Sequence, residues 1–323
     1  MTLLKNKLSE MLISLLHIYN ISVIVQLDRL YLHFISKGII TMSNYKRLVK
    51  TASKRAIYAE YGIEYRSGKI YHPEFGWINP LLINGNAKLG KGVWTFSVLA
   101  ANKVYTFESN GKEYRLVGTC NCHCAGCYAC NGCYKFRSTI ASLGRKTWLV
   151  RNDLDFVYRA IMAQLKADKI TICRIHASGD FDYDFSGDRY LNMWKAVIAN
   201  NADCVFWTYT KIQEFETAFD EFPNANIVKS LIDCADLKGL NYGHADYIIA
   251  MYKALKALEK NVYICRCGID KNQHCTNCHN CSNNDYVLFV EHGTGYKIEL
   301  DPLYDEIVAL IESQDSDTMK AAD

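Results

Sequence analysis

An α/β fold is what this sequence predicts, either a partial (β/α)6 barrel or an open parallel sheet, with two cysteine-rich metal-binding loops at the C-terminal strand ends. Three observations predict it. From residue 114 onward, short apolar runs of strand length alternate with stretches whose apolar residues recur every three to four positions, the pattern of strands joined by amphipathic helices. Polar motifs follow the ends of successive strand-like runs, which is where parallel α/β folds gather their chemistry. Eleven of the 14 cysteines fall in two groups, Cys120, Cys122, Cys124, Cys127, Cys130 and Cys133, then Cys265, Cys267, Cys275, Cys278 and Cys281. Core packing scatters cysteines, whereas metal ligation gathers them.

Residues 1–41 read as an N-terminal extension, because Met42 opens MSNYKRLVKTASKRAIYAEYG, a start as natural as Met1. The apolar run at 11–26 is broken by His17, Asn20 and Ser22 and is shorter than a bilayer span, so no membrane partner is expected. Residues 42–113 form a second segment, basic at Lys46, Arg47, Lys50, Lys54 and Arg55 and then rich in Gly and Tyr. Its GNAKLGKG at 85–92 lacks the Lys-Ser or Lys-Thr pair of a phosphate loop and reads as turns.

The α/β metal-binding core is expected over 114–314. Residues 114–118 read as a strand leading straight into the first cysteine group. Leu154, Val157, Ile161 and Leu165 keep helical spacing behind Asn152 and Asp153, either of which suits a helix cap. Residues 170–176 follow as a buried strand closed by Ser178-Gly179-Asp180. The alternation continues with a helix at 190–198, strands at 204–209 and 227–232 around a helix at 213–222, and a helix face of Ile248, Met251, Leu255 and Leu258. Strands at 262–265 and 286–290 come next, and a last helix begins at Asp301-Pro302. Residues 315–323 are a polar tail.

A chain of 323 residues buries a full core and needs no disulfide staples. A net charge of +3 is too small to demand a nucleic-acid partner. Metal or redox chemistry is therefore the reading for the cysteines. Cys120, Cys124 and Cys127 make C-x3-C-x2-C, three thiolates on one loop that suit three irons of a 4Fe-4S cluster and leave the fourth iron open. Cys130 and Cys133 extend the ligand supply, and any four of these thiolates would equally close a structural zinc site. In the second group, Cys275, Cys278 and Cys281 are completed by Cys265 or Cys267, or by His292, as a zinc site or an auxiliary cluster. His176 and Arg174, on the strand before Ser178, Gly179 and Asp180, and Lys211 at the next strand end are candidates to meet a substrate, His176 as a proton donor and the two cations as anion clamps.

GNAKLGKGVWTFS at 85–97, CAGCYACNGCYKF at 124–136, RIHASGDF at 174–181, FWTYTK at 206–211, and CTNCHNC with the later VLFVEH together resemble the phage gene product 88-like family over residues 80–292. That resemblance implies a bacteriophage origin, the cytoplasm of the infected bacterial host, and no assigned reaction. More distantly, the first cysteine triad resembles radical S-adenosylmethionine enzymes. That implies a 4Fe-4S cluster and S-adenosylmethionine, with Ser178, Gly179 and Asp180 at the place of a Gly-Gly-Glu segment. The resulting expectation is an iron-sulfur enzyme acting on a nucleotide, nucleic acid or peptide. The alternative is a non-catalytic, zinc-stabilised phage protein that binds nucleic acid or a host factor, or a phage DNA replication or modification protein. A tyrosine nickase would need two histidines flanking one hydrophobic residue, and a deaminase an H-x-E motif beside its cysteines; neither occurs.

Overall fold

A computed structural model describes residues 42–85, 89–120, 128–130, 132–229, 245–266, 270, 274–278, 280–284, 286–290, 299 and 301–320. The expected extension at 1–41, Cys122, Cys124, Cys127, Cys267 and His292 lie outside the described residues. The chain divides into two compact units, residues 1–80 with 162–169, and residues 81–161 with 170–323.

In the first unit, helix α1 (Met42–Glu60) precedes an antiparallel meander of β1 (Tyr65–Arg66), β2 (Lys69–His72) and β3 (Gly76–Ile78). Tyr58 stacks on Tyr65 with ring centroids 4.6 Å apart. Lys54 pairs with Asp168 and Lys166 with Glu60.

The second unit runs through β4 (Ile83–Asn84), β5 (Trp94–Phe96), the hairpin β6 (Val104–Ser109) and β7 (Lys112–Val117), α2 (Arg137–Asn152), α3 (Leu154–Asp168), whose residues from Met162 onward belong to the first unit, β8 (Ile172–Ile175), α4 (Tyr183–Ser186) and α5 (Asp188–Ala199). It continues with β9 (Val205–Thr210), β10 (Ala225–Lys229), α6 (Ala245–Ala257), β11 (Val262–Cys265), the one-turn helices α7 (Cys275–Cys278) and α8 (Asn280–Asn283), β12 (Tyr286–Phe289) and α9 (Tyr304–Lys320). Seven strands form one sheet in the order β11-β12-β10-β9-β8-β5-β4. All neighbours are parallel except the β4–β5 pair at one edge.

The open parallel sheet forms and the partial (β/α)6 barrel does not. Strands β5, β8, β9 and β10 lie side by side in chain order, but β12 inserts between β10 and β11, and that reversal breaks the sequential order a barrel requires. The edge at β11 is instead covered, with Gln314 of α9 accepting the Ile264 N–H at 2.7 Å.

Handedness explains which face each connection covers. Parallel crossovers are right-handed, so connections that step in one direction along the sheet lie on one face, and a step in the opposite direction lies on the other. Phe96 of β5 meets Trp194 and Tyr190 of α5. Val262, Ile264 and Leu288 pack with Ile248, Ile249 and Leu255 of α6 and with Ile307 and Ile311 of α9. These residues share the helix-covered face. The β11-to-β12 connection steps backward, and it is the one that carries Cys275, Cys278 and Cys281. It crosses the opposite face, where register places Arg174, Trp207 and Asn226 side by side.

One expected strand and one expected helix change. Residues 114–118 do not begin the parallel sheet; β7 pairs only with β6, in an antiparallel hairpin packed on α2. The first parallel strand is β5, whose three residues are too few to show a period. The stretch expected as a helix at 213–222 forms only a short 3-10 turn at Gln213–Phe215, followed by turns.

Candidate functional site

The C-terminal ends of β5, β8 and β9 are laced into one rim. Leaving β8, the chain takes a left-handed conformation at His176, Gly179 and Asp182, with φ of 58°, 84° and 55°. For His176 and Asp182 this is backbone strain of the kind that persists only where surrounding contacts enforce it. At Gly179 the glycine is required twice over, by its φ and because a Cβ would stand 2.3 Å from Val98 Cγ2. The enforcing contacts are visible. Ala177 N–H donates to Phe96 O, Val98 N–H to Ser178 O, and Ser178 Oγ to Val98 O.

Asp180 sits at the centre of this rim, 6% exposed. Its Oδ1 accepts from Phe181 N–H at 2.9 Å and from Thr210 Oγ1 at 2.9 Å, and its Oδ2 accepts from Lys211 N–H at 3.1 Å. Burial pushes the carboxyl up to about 6, against these hydrogen bonds and the Lys211 ammonium, which hold it down. Asp180 N–H donates to Thr119 Oγ1 at 2.9 Å, and Thr119 donates through both N–H and Oγ1 to Leu99 O. Thr119 therefore delivers the chain into Cys120 beside β5 and β8. The hairpin is an excursion from the end of β5, and Cys120 follows Thr119 directly.

Beside the rim, Arg151 forms a two-pronged ion pair with Asp182, Nε to Oδ2 at 2.8 Å and Nη2 to Oδ1 at 2.6 Å, while its guanidinium stacks over Phe185 at 3.8 Å. Both side chains are nearly buried. Neither residue was singled out by the sequence. The available signal was a second aspartate two residues after the first in SGDFD, in need of a cation.

The three residues expected to meet substrate lie in different settings. His176 is 2% exposed, with Nε2 2.7 Å from Tyr190 Oη and its ring edge-on to Phe181. Burial, and then the Arg174 charge, push it down to about 3, so the imidazole is neutral. Arg174 lies on the other side of the strand, its guanidinium 4.9 Å over the Tyr209 ring. Lys211 meets the rim through its backbone N–H to Asp180. Ser178 and Gly179 act there through the backbone lacing described above.

The second cysteine group does not stay at the strand ends. Tyr209 Oη donates to Cys281 Sγ at 2.7 Å, Asn226 Nδ2 donates to Cys281 O and Asn284 O at 2.9 Å each, and Asn261 Nδ2 donates to Asn283 O at 2.9 Å. The segment thus runs back over the sheet face toward the start of β12. Cys265, Cys278 and Cys281 pack with Val228, Tyr263 and Val287. Cys275 packs with Leu89, Val93 and Trp207, a cluster that Cys281 also joins. Burial pushes the Cys281 thiol up to about 12. Among the described residues, no disulfide joins Cys120, Cys130, Cys133, Cys265, Cys275, Cys278 or Cys281. Among those residues no three His, Cys, Asp or Glu side chains already converge as a metal site.

No described helix is long and apolar enough to cross a membrane. The gene 88 protein of Mycobacterium phage L5 is 26% identical over 196 residues, which cover 50% of this chain and 78% of that protein. No solved structure matches the chain. The family model described as Gene product 88 matches residues 80–301, a stretch that contains the whole rim and the cysteine-bearing face. This chain belongs to the gene product 88 family.

Proposed function

We propose that the chain is a phage metalloprotein of the infected host's cytoplasm, with its two cysteine groups as metal ligands. In this reading Cys120, Cys124 and Cys127, extended by Cys130 and Cys133, hold a 4Fe-4S cluster. The second group holds zinc or an auxiliary cluster. The observation that carries the reading is the entry into Cys120. Thr119, tied to Leu99 and to Asp180 N–H, launches the cysteine run from the adjoining C-terminal ends of β5 and β8, where parallel α/β sheets bind their ligands. Bound there, a cluster with one open iron would supply one-electron chemistry on S-adenosylmethionine. Asp180 would contribute the one lone pair on Oδ2 that Lys211 N–H leaves unused, and Arg174 and Lys211 positive charge toward a nucleotide, nucleic acid or peptide.

A second reading, a zinc-stabilised protein with no catalysis that binds nucleic acid or a host factor, is favoured by the same rim. His176 and Asp180 are both buried, and the hydrogen bonds of His176 Nε2 and of Asp180 to Thr210 and Lys211 hold elements together. Metal analysis of anaerobically purified protein separates the two. A brown protein whose iron and sulfide vanish in Cys124→Ala supports the enzyme reading. A colourless protein carrying zinc supports the second, and a protein with neither metal refutes both.

A further inference from the structure

We propose that the solvent face of the β1–β2–β3 meander binds single-stranded nucleic acid, with Tyr71 and Trp77 stacking on bases and Arg66 and Lys69 holding phosphate. This face lies in the first unit, before the stretch that the family model matches, and the proposal stands apart from the metal reading of the cysteine groups.

Local sequence fixes what the face presents. Ser67 and Gly68 form a two-residue turn with φ of 52° and 81°, the left-handed pair of a type I′ hairpin, whose geometry sets the strand register. Arg66 therefore stands directly opposite Lys69, and Tyr65 opposite Ile70. Across the next pair, Tyr71 stands opposite Trp77 and Ile70 opposite Ile78. Side chains alternate between faces, so Tyr65, Ile70 and Ile78 point one way and are buried, with Tyr58 of α1 stacked on Tyr65. Arg66, Lys69, Tyr71 and Trp77 point the other way and are exposed.

The aromatic pair and the cation pair both suit a nucleotide. The Tyr71 and Trp77 rings meet edge to face with centroids 5.4 Å apart, yet they remain 38% and 39% exposed. A cross-strand aromatic pair stabilises a hairpin, and rings left this open also offer planes for stacking. Unpaired bases stack on such planes whatever their sequence, whereas the bases of a duplex are already stacked on one another. Arg66 and Lys69 are like charges directly opposite one another, an arrangement that weakens a strand pair. Among the unit's described residues the ion pairs are Lys54 with Asp168 and Lys166 with Glu60, so the repulsion between Arg66 and Lys69 is left for an anion to relieve. Glu64 reaches the same face opposite Tyr71, whose N–H donates to Glu64 O at 3.0 Å. Two cations and one carboxylate leave the face positive. Lys69 and Tyr71 are two residues apart on β2, about 6.4–6.8 Å, which lets one nucleotide put its phosphate on the cations while its base lies on the rings. A neutral sugar or an apolar peptide would use the rings and leave the cation pair unrelieved. These contacts read the phosphate and the base plane, which DNA and RNA share.

Fluorescence anisotropy of labelled oligothymidylate and oligouridylate with the full-length chain tests this. Both are expected to bind, and a DNA duplex of the same length to bind more weakly. Trp77→Ala is expected to weaken binding about tenfold, and Trp77→Phe to keep most of the affinity. Arg66→Ala and Lys69→Ala are each expected to lower the slope of log K against log salt by about 0.7. Glu64→Gln is expected to tighten binding, a gain that misfolding cannot produce. No binding by the wild type, unchanged affinity in Trp77→Ala, or tighter binding of the duplex would overturn the proposal. So would a dimer, seen in sedimentation and abolished by Trp77→Ala, that takes no oligonucleotide.

Discussion

The two faces of the central sheet are built on different principles. One is covered by α5, α6 and α9, whose Trp194, Tyr190, Ile248 and Ile307 are fully or almost fully buried against Phe96, Val262, Ile264 and Leu288. The other is covered by two one-turn helices that bring cysteines and asparagines over Tyr209 and Asn226. Area burial accounts for the first face, where large apolar side chains interdigitate. It accounts poorly for the second, because one-turn helices do not hold themselves together and their side chains are small and polar. The metal proposed for the second cysteine group would brace the second face.

The sharpest way to break this comparison is at the helix-covered face. Trp194→Ala removes a fully buried indole and is expected to cost about 3–5 kcal/mol in urea unfolding. The same loss should appear with and without chelator. A loss that depended on chelator would mean that the two faces are not separately held.

Arg151→Met is expected to cost a similar amount, about 3–5 kcal/mol, by leaving the Asp182 carboxylate buried without its partner. Burial already pushes the Asp182 carboxyl above its ordinary value even with Arg151 holding it down. Without Arg151 it rises further. A folded-state value above the unfolded one means stability lost as pH rises through the folded value, so the deficit should grow from acid toward neutral pH. A pH-independent deficit in urea titrations would count against this account of the pair.

Asp180→Asn replaces an acceptor with an NH2 group facing the Lys211 N–H and is expected to cost about 1–3 kcal/mol. In the wild type, stability should fall between 3.8 and about 6 as the unfolded state ionises before the folded one. Asparagine removes that fall, so the deficit measured in denaturant should shrink as pH rises through 6.

The last effect is read as a slope and not as a loss at one pH. Lys146 of α2 is buried with its ammonium 5.4 Å over the Phe96 ring and no hydrogen-bond partner, and burial, with Arg145 adding to it, pushes it down to about 7. From there toward 10.5 the unfolded chain holds the proton that the folded one has lost, so stability should rise with pH by no more than about 1.4 kcal/mol per unit. Lys146→Met should flatten that rise in thermal or denaturant scans. An unchanged slope would show that other groups cause it.

What could be read in advance divides along the same line. Strand β11 at 262–265 and the helices near 154, 190 and 248 announced themselves because apolar residues at a steady period must face one core. The hairpin strand β7 looked like the first sheet strand because Tyr114 and Leu116 alternate as a half-buried strand should. Nothing local distinguishes a two-stranded excursion from a sheet member. The placement of Cys275–Asn283 depended on β12 inserting between β10 and β11, a long-range fact with no local trace. Cysteines were conspicuous in composition as candidate ligands, whereas Arg151 shows its role only once it meets Asp182.

Amide hydrogen exchange, read at Tyr209 and Val228 on the cysteine-covered face and at Trp194 and Ile249 on the other, tests the central claim most directly when run on metal-loaded protein before and after chelation. Faster exchange confined to Tyr209 and Val228 after metal removal is the result predicted. Equal protection of both regions in the two states would contradict the claim that metal holds this face of the sheet.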